Sequence, residues 1–215
     1  MTDKEYKEAI KLYKSLHCPA DTLNIIGDIL PYEKAWNMIL SPRSRGKTTN
    51  LILWGMCLNA VCGTQIQYIR QRDSQLVPKL CGKLCDVINM PKYKYIEKIT
   101  NGRYNNVWYY GRKWYYRLID ENGEVIEKSE TPFMSCIAVD QNQNLKSVYN
   151  APNGDFIIFD EFLTKSGYLP DEFVLLNDLL STIIRQRDTA SIYLVGNLID
   201  KYLSLIHISE PTRPY

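Results

Sequence analysis

Short apolar runs alternate with longer helix-periodic stretches along most of this chain. Thr2 to Leu16 spaces apolar residues among charges and predicts an amphipathic helix, and Asp21 to Leu30 predicts a second short helix before Pro31. Trp36 to Leu40 predicts a strand and residues 48–62 an apolar helix; a strand over 64–70 and a helix over 73–89 repeat the unit. Phe156 to Phe159 is an uninterrupted apolar run, as suits a central parallel strand covered on both faces, here predicted over 156–160. A helix around 171–185 and a strand over 191–196, ending in Gly196-Asn197, complete the series. Strand–helix alternation of this kind predicts the α/β class, with a mainly parallel sheet flanked by helices.

Between residues 93 and 128 the pattern changes. Lys94 to Ile99, Arg103 to Tyr110, Arg112 to Ile119 and Glu124 to Lys128 read as short aromatic strands, separated by Asn101-Gly102, Gly111 and Asn122-Gly123. They predict an antiparallel β-meander inserted in the sheet, followed by a strand over 133–139. Residues 92–117 carry seven cations against Glu97 alone, a balance of +6 in a chain of net charge +2. Packing in a half-buried antiparallel sheet accounts for most of the rings. It does not account for the lysines and arginines, which leaves a basic contact surface for nucleic acid open.

The chemistry concentrates at two places. Ser41-Pro42-Arg43-Ser44-Arg45-Gly46-Lys47-Thr48 lies between a predicted strand and a predicted helix, where backbone N–H groups and the helix N-terminus attract phosphate. Gly46 permits close approach, Lys47 reaches the β- and γ-phosphates, Thr48 holds Mg²⁺, and Thr49 continues the first turn. Gly-Lys-Thr also occurs at helix starts with no ligand. Asp160 and Glu161 end the apolar strand; Asp160 would hold the metal, partly through water, and Glu161 would polarise the attacking water. Two solvated acids at a strand end are the bland alternative, but both motifs in this order point to hydrolysis of ATP with Mg²⁺. Arg43 and Arg45 act from within the loop or are simply solvated. Asn197 ends a strand near the expected γ-phosphate, and Arg70 ends another at the same edge. Arg185 and Arg187 follow a predicted helix, where they complement its dipole or reach a neighbouring subunit's nucleotide.

At 215 residues, 45% hydrophobic and 23% charged, the chain fits one large α/β domain, placed at 1–203. Residues 204–215 match nothing before them and resemble a translated sequencing-adapter remnant. The expectation is a non-native tail on a protein that naturally continues, so it is set aside for fold reasoning. No apolar run spans a bilayer and the N-terminus is no signal peptide, so a cytosolic protein without membrane partners is expected. Cys18, Cys57, Cys62, Cys81, Cys85 and Cys136 are then expected as thiols; with no C-x-x-C pair they read as small hydrophobes and not as a zinc site. The two histidines, His17 and His207, offer little for histidine catalysis.

From Trp36 to Asn197 the chain resembles the DNA-packaging ATPases of phi-29-like phages, relatives of the large terminase subunits. The carrying pieces are Arg43 with Gly46-Lys47-Thr48, Tyr68-Ile69-Arg70, Gly111-Arg112-Lys113-Trp114-Tyr115, Phe159-Asp160-Glu161-Phe162, Arg185-Gln186-Arg187 and Gly196-Asn197. The resemblance implies an ASCE-type P-loop fold and a homo-oligomeric ring, a pentamer, on the portal of an empty procapsid in the host cytoplasm. It also implies double-stranded DNA as the cargo and a packaging RNA as a bridging partner. Carried over by position, Lys47 and Thr48 bind phosphate and Mg²⁺, Asp160 holds the metal and Glu161 is the base. Arg185 or Arg187 looks like a finger acting in trans, with Lys146 a second trans-acting cation. The chain departs from the family at Ser41, which replaces the usual first glycine, and in lacking the C-terminal nuclease-like domain. The leading expectation is a packaging-motor ATPase domain. Another ASCE motor (terminase or helicase) and a non-hydrolysing regulatory module are the alternatives, and Glu161 argues against the last.

Overall fold

The computed structural model describes residues 1–141, 153–163, 167–185, 187 and 189–197. Eight strands form one mixed sheet: β1 (Trp36–Ser41), β2 (Ile66–Arg70), β3 (Asn106–Tyr110), β4 (Lys113–Ile119), β5 (Val125–Lys128), β6 (Met134–Ala138), β7 (Phe156–Asp160) and β8 (Ser191–Asn197). Their spatial order is β1-β8-β7-β2-β6-β4-β3, with β5 also paired to β4. The first five in that order run parallel, and β4 turns antiparallel against β6, β3 and β5. The parallel strands therefore end at one edge, which gathers Ser41, Asn197, Asp160 and Arg70. In register, Ser41 faces Asn197 and Asp160 faces Val195.

Both faces of the parallel portion are covered, which is why β7 is apolar from Phe156 to Phe159 and buried at every position. On one face lie α1 (Asp3–Ser15), α2 (Lys47–Cys62), α3 (Pro78–Ile88) and α4 (Tyr95–Ile99), sharing a core with Ile66, Tyr68, Trp114 and Phe156. On the other, α5 (Glu172–Ile184) packs Leu179, Leu180 and Ile183 over Ile69, Ile157, Phe159 and Ile192. Every residue of α2 from Asn50 to Leu58 is buried, because the helix is wedged between the sheet and α1. Tyr6 and Tyr13 of α1 meet the Trp54 ring edge-on at 6.0 and 5.9 Å. Gly63, at φ 74°, ends α2 in the left-handed conformation. No helix among the described residues is long and apolar enough to cross a membrane.

The predicted strand over Lys94 to Ile99 is corrected: it is the helix α4. Tyr95, Ile96 and Ile99 are its buried positions, a spacing that lines one helical face and not one strand face. The meander thus has three strands, not four. The segment predicted as a helix over 21–30 forms a π-helical turn, Ile25–Ile29, then a 3-10 turn, Leu30–Tyr32. The predicted helix 73–89 divides into a 3-10 turn, Asp73–Gln75, and α3, which starts where Pro78 occupies its first turn. Cys57, Cys81, Cys85 and Cys136 are buried among apolar neighbours. The boundary at 203 and the tail 204–215 lie outside the described residues.

Two glycines make opposite predictions. A Cβ on Gly55 in α2 would lie 2.7 Å from Ile66 Cδ1 and 3.0 Å from Phe156 Cδ1, whereas one on Gly82 in α3 would meet nothing within 4 Å. Gly55→Val is expected to cost about 1–3 kcal/mol by overpacking, and Gly82→Ala to add about 0.4–1 kcal/mol. Chemical denaturation of the two variants checks both signs.

Candidate active site

The loop from Ser41 to Gly46 is shaped by its backbone. Ser44 and Gly46 both have φ of 64°, and Gly46 opens α2 with no side chain capping the first-turn N–H groups. Those donors are available to an anion. Gly46 is required twice over: its φ is left-handed, and a Cβ would stand 3.0 Å from Thr22 Cβ. The segment before β1 braces the loop from outside. Leu23 N donates to Arg45 O at 2.9 Å, and Asn50 Nδ2 donates to Thr22 Oγ1 at 2.9 Å and Leu23 O at 2.7 Å.

Lys47 is buried at the start of α2 and turned back under the loop. Its Nζ donates to Ser41 O at 3.0 Å, Ser41 Oγ at 3.1 Å, Pro42 O at 2.9 Å and Asn197 Oδ1 at 3.1 Å. Burial lowers its pKa, and the Asp160 charge partly opposes that. Ser41, where a glycine was the usual expectation, supplies the lysine with an extra acceptor.

Asp160 is buried at the end of β7. Its Oδ1 accepts from Thr48 Oγ1 at 3.1 Å and from Glu161 N at 3.0 Å, and its Oδ2 accepts from Tyr68 OH at 2.7 Å. Burial raises the carboxyl pKa, while the Tyr68 hydrogen bond and the Arg70 charge pull it back. The Arg70 guanidinium lies 3.5 Å from Asp160 Oδ2 and also pairs with the Glu161 carboxylate. Glu161 sits one residue past the strand at φ 53°, half-exposed, so its side chain reaches solvent while Asp160 stays enclosed. A cavity of about 150 Å³ lies between the loop's end, this acidic pair and the end of β8; Lys47, Thr48, Asp160, Glu161 and Asn197 all line it. Thr48 and Asp160 supply adjacent hard oxygens, the donor type that suits Mg²⁺.

The other predicted residues are only partly gathered there. Arg45 and Thr49 line the cavity, but exposed Arg43 does not. Arg185 caps the end of α5, its Nε donating to Thr182 O at 3.3 Å. Arg187 Nε pairs with Asp155 Oδ1 at 2.6 Å, and its Nη2 donates to Ile183 O at 2.8 Å. Asp155 immediately precedes β7, so this pair lies at the opposite sheet edge, about 16 Å from Asp160 along the strand. Neither arginine faces its own chain's cavity. Lys146 lies outside the described residues. The contribution that sequence reasoning missed is the pairing of Tyr68 and Arg70 with the two acids. Its trace was Tyr68 and Arg70, two residues apart and so on one face of the strand, at the edge where the parallel strands end.

Solved structures share this fold. The N-terminal domain of the DNA packaging ATPase from bacteriophage phi29 matches with a TM-score of 0.58 at 20% identity, over 90% of this chain and 91% of that one. A chain of the bacteriophage Phi-29 viral genome packaging motor assembly matches with 0.58 at 20% identity, over 89% of this chain and 52% of that one. A chain of the Phi-28 gp11 DNA packaging motor matches with 0.56 at 16% identity, over 78% and 47%. The chain thus spans about half the length of the motor proteins it matches. No protein-family model and no curated protein sequence matches it.

Removing Arg70 leaves a buried carboxylate unbalanced. Arg70→Met is expected to destabilise the fold by on the order of 3 kcal/mol, and Asp160→Asn in the same chain to restore most of that. A double-mutant cycle in urea measures the coupling; additive losses would show that the two side chains act independently.

Proposed function

We propose that this chain is the ATP-hydrolysing domain of a viral genome-packaging motor that drives double-stranded DNA into a procapsid. One observation carries the proposal: Lys47, Thr48, Asp160 and Glu161 line one cavity at the C-terminal edge of a parallel sheet. The likeness in fold to the phi29 packaging ATPase domain supports the setting.

In this mechanism the first-turn N–H groups of α2 cradle the phosphates, and Lys47 exchanges its loop carbonyls for β- and γ-phosphate oxygens. Thr48, and Asp160 partly through water, would hold Mg²⁺, which would neutralise charge on those oxygens. Glu161 leaves Arg70, orients a water in line with the γ-phosphorus and accepts its proton. Asn197, beside Lys47 at the end of β8, contacts the γ-phosphate end and registers its loss. Arg45 and Thr49 complete the nucleotide's surroundings, with Arg43 above the loop.

Since Arg185 and Arg187 lie at the far sheet edge, either one acts on a neighbour's nucleotide in a homo-oligomeric ring, with Lys146 as a further trans cation. That ring is a pentamer docked on the portal in the host cytoplasm, with a packaging RNA as a further partner. A regulatory module that binds without turnover is disfavoured by the carboxylate of Glu161 at the cavity.

Glu161→Gln is expected to keep ATP affinity and lose about 10²–10⁴-fold in turnover; unchanged hydrolysis removes Glu161 as the base. Arg185→Ala or Arg187→Ala subunits, each inactive, should regain ATPase activity when mixed with Lys47→Ala subunits, and only a trans finger gives that recovery. Duplex DNA should stimulate hydrolysis, less at higher salt. ATP turnover indifferent to duplex at both salt concentrations contradicts the motor.

A further inference from the structure

The antiparallel end of the sheet has one face in the core and one outside it. Val107, Trp114 and Tyr116 point inward and are buried with α2, α3 and α4. Trp108, Tyr110 and Tyr115 point the other way and belong to neither hydrophobic core. Their rings form a ladder: Trp108 stacks on Tyr110 at 5.4 Å and 19°, and meets Tyr115 across the strands at 6.0 Å. Tyr110 is 67% exposed and Trp108 and Tyr115 are partly exposed, so the Tyr110 end of the ladder is open to solvent.

Cations frame these rings. The Arg117 guanidinium lies 5.9 Å and the Lys128 ammonium 4.9 Å from the Trp108 centroid, and Lys113 pairs with Tyr110 across the hairpin. The cross-strand pairs of this face are Asn106 with Arg117, Trp108 with Tyr115, Tyr110 with Lys113 and Arg117 with Lys128; none includes a carboxylate. Glu127 falls on the opposite face, held by Arg103 and Tyr104. The Trp108 indole N–H has no acceptor among the described residues.

Cross-strand packing alone explains a ladder of rings. It does not explain three cations on the same face with no paired carboxylate among the described residues. Flat rings with phosphate-binding cations at their rim suit unpaired bases on a phosphate backbone. A duplex keeps its base faces stacked internally and offers these rings nothing to stack on. We propose that the outer face of β3–β4–β5 is a binding platform for single-stranded nucleic acid. Tyr110 and Tyr115 stack on bases, Trp108 supports them from beneath, and Lys113, Arg117 and Lys128 contact phosphates. The platform has room for about two or three bases. It stands apart from the phosphate loop, and its existence does not depend on ATP hydrolysis.

The test is fluorescence anisotropy on the whole chain with labelled 12-nucleotide oligo(U), oligo(dT) and a 12-base-pair duplex, at two salt concentrations. The single strands should bind at least tenfold more tightly than the duplex. Tyr110→Ala, with the fold checked by its circular dichroism, should weaken single-strand binding about tenfold. Lys113→Ala should lower the salt slope by about 0.7. A tenfold preference for oligo(U) assigns the platform to RNA, and equal affinity to single strands of either kind. Duplex binding weakened by Tyr110→Ala as much as single-strand binding, or single-strand binding unchanged by Tyr110→Ala, overturns the proposal.

Discussion

A carboxylate enclosed in a protein interior has to be balanced, and the balance of Asp160 organises this molecule. Its oxygens are satisfied from three directions: Thr48 on the helix after the loop, Tyr68 on the neighbouring strand and the backbone N–H of Glu161. Arg70 adds the opposing charge and reaches on to Glu161. Interactions of this kind need β2, β7 and α2 in fixed register, so the network that tunes the acid also fixes the position of the loop. The energetic gain of the ion pair itself is modest against desolvation, and its larger effect is on geometry.

The sheet provides that register. Parallel strands covered on both faces leave only their ends free to carry polar side chains, and all five parallel strands end at one edge. Lys47 is held to Ser41 and Asn197, which are themselves paired across β1 and β8. The loop, the acids and the end of β8 are therefore joined by one set of hydrogen bonds.

Much of this was legible in the sequence. The unbroken apolar run of β7 announced a strand buried on both sides, and Gly46-Lys47-Thr48 between strand and helix announced the loop. Where local pattern was ambiguous, tertiary packing decided. Tyr95, Ile96 and Ile99 lie in a segment too short for its period to stand out until α1 and α2 supply the surface they pack on. The brace from Thr22 and Leu23 was invisible because it joins residues far apart in the chain through loop geometry that no periodicity encodes. Tyr68 and Arg70 could be placed at the right edge, but their pairing with the acids depends on which strand neighbours β7, and that is a property of topology.

The backbone at Glu161 carries its own consequence. Its φ of 53° lies in the left-handed region, where glycine or asparagine sits more comfortably than a long acidic side chain. Foldability alone gives no reason for a glutamate there, so under the proposed function selection for robustness and selection for turnover pull this position in opposite directions. A lineage that kept this fold without the proposed hydrolysis would be expected to drift toward glycine at this residue first.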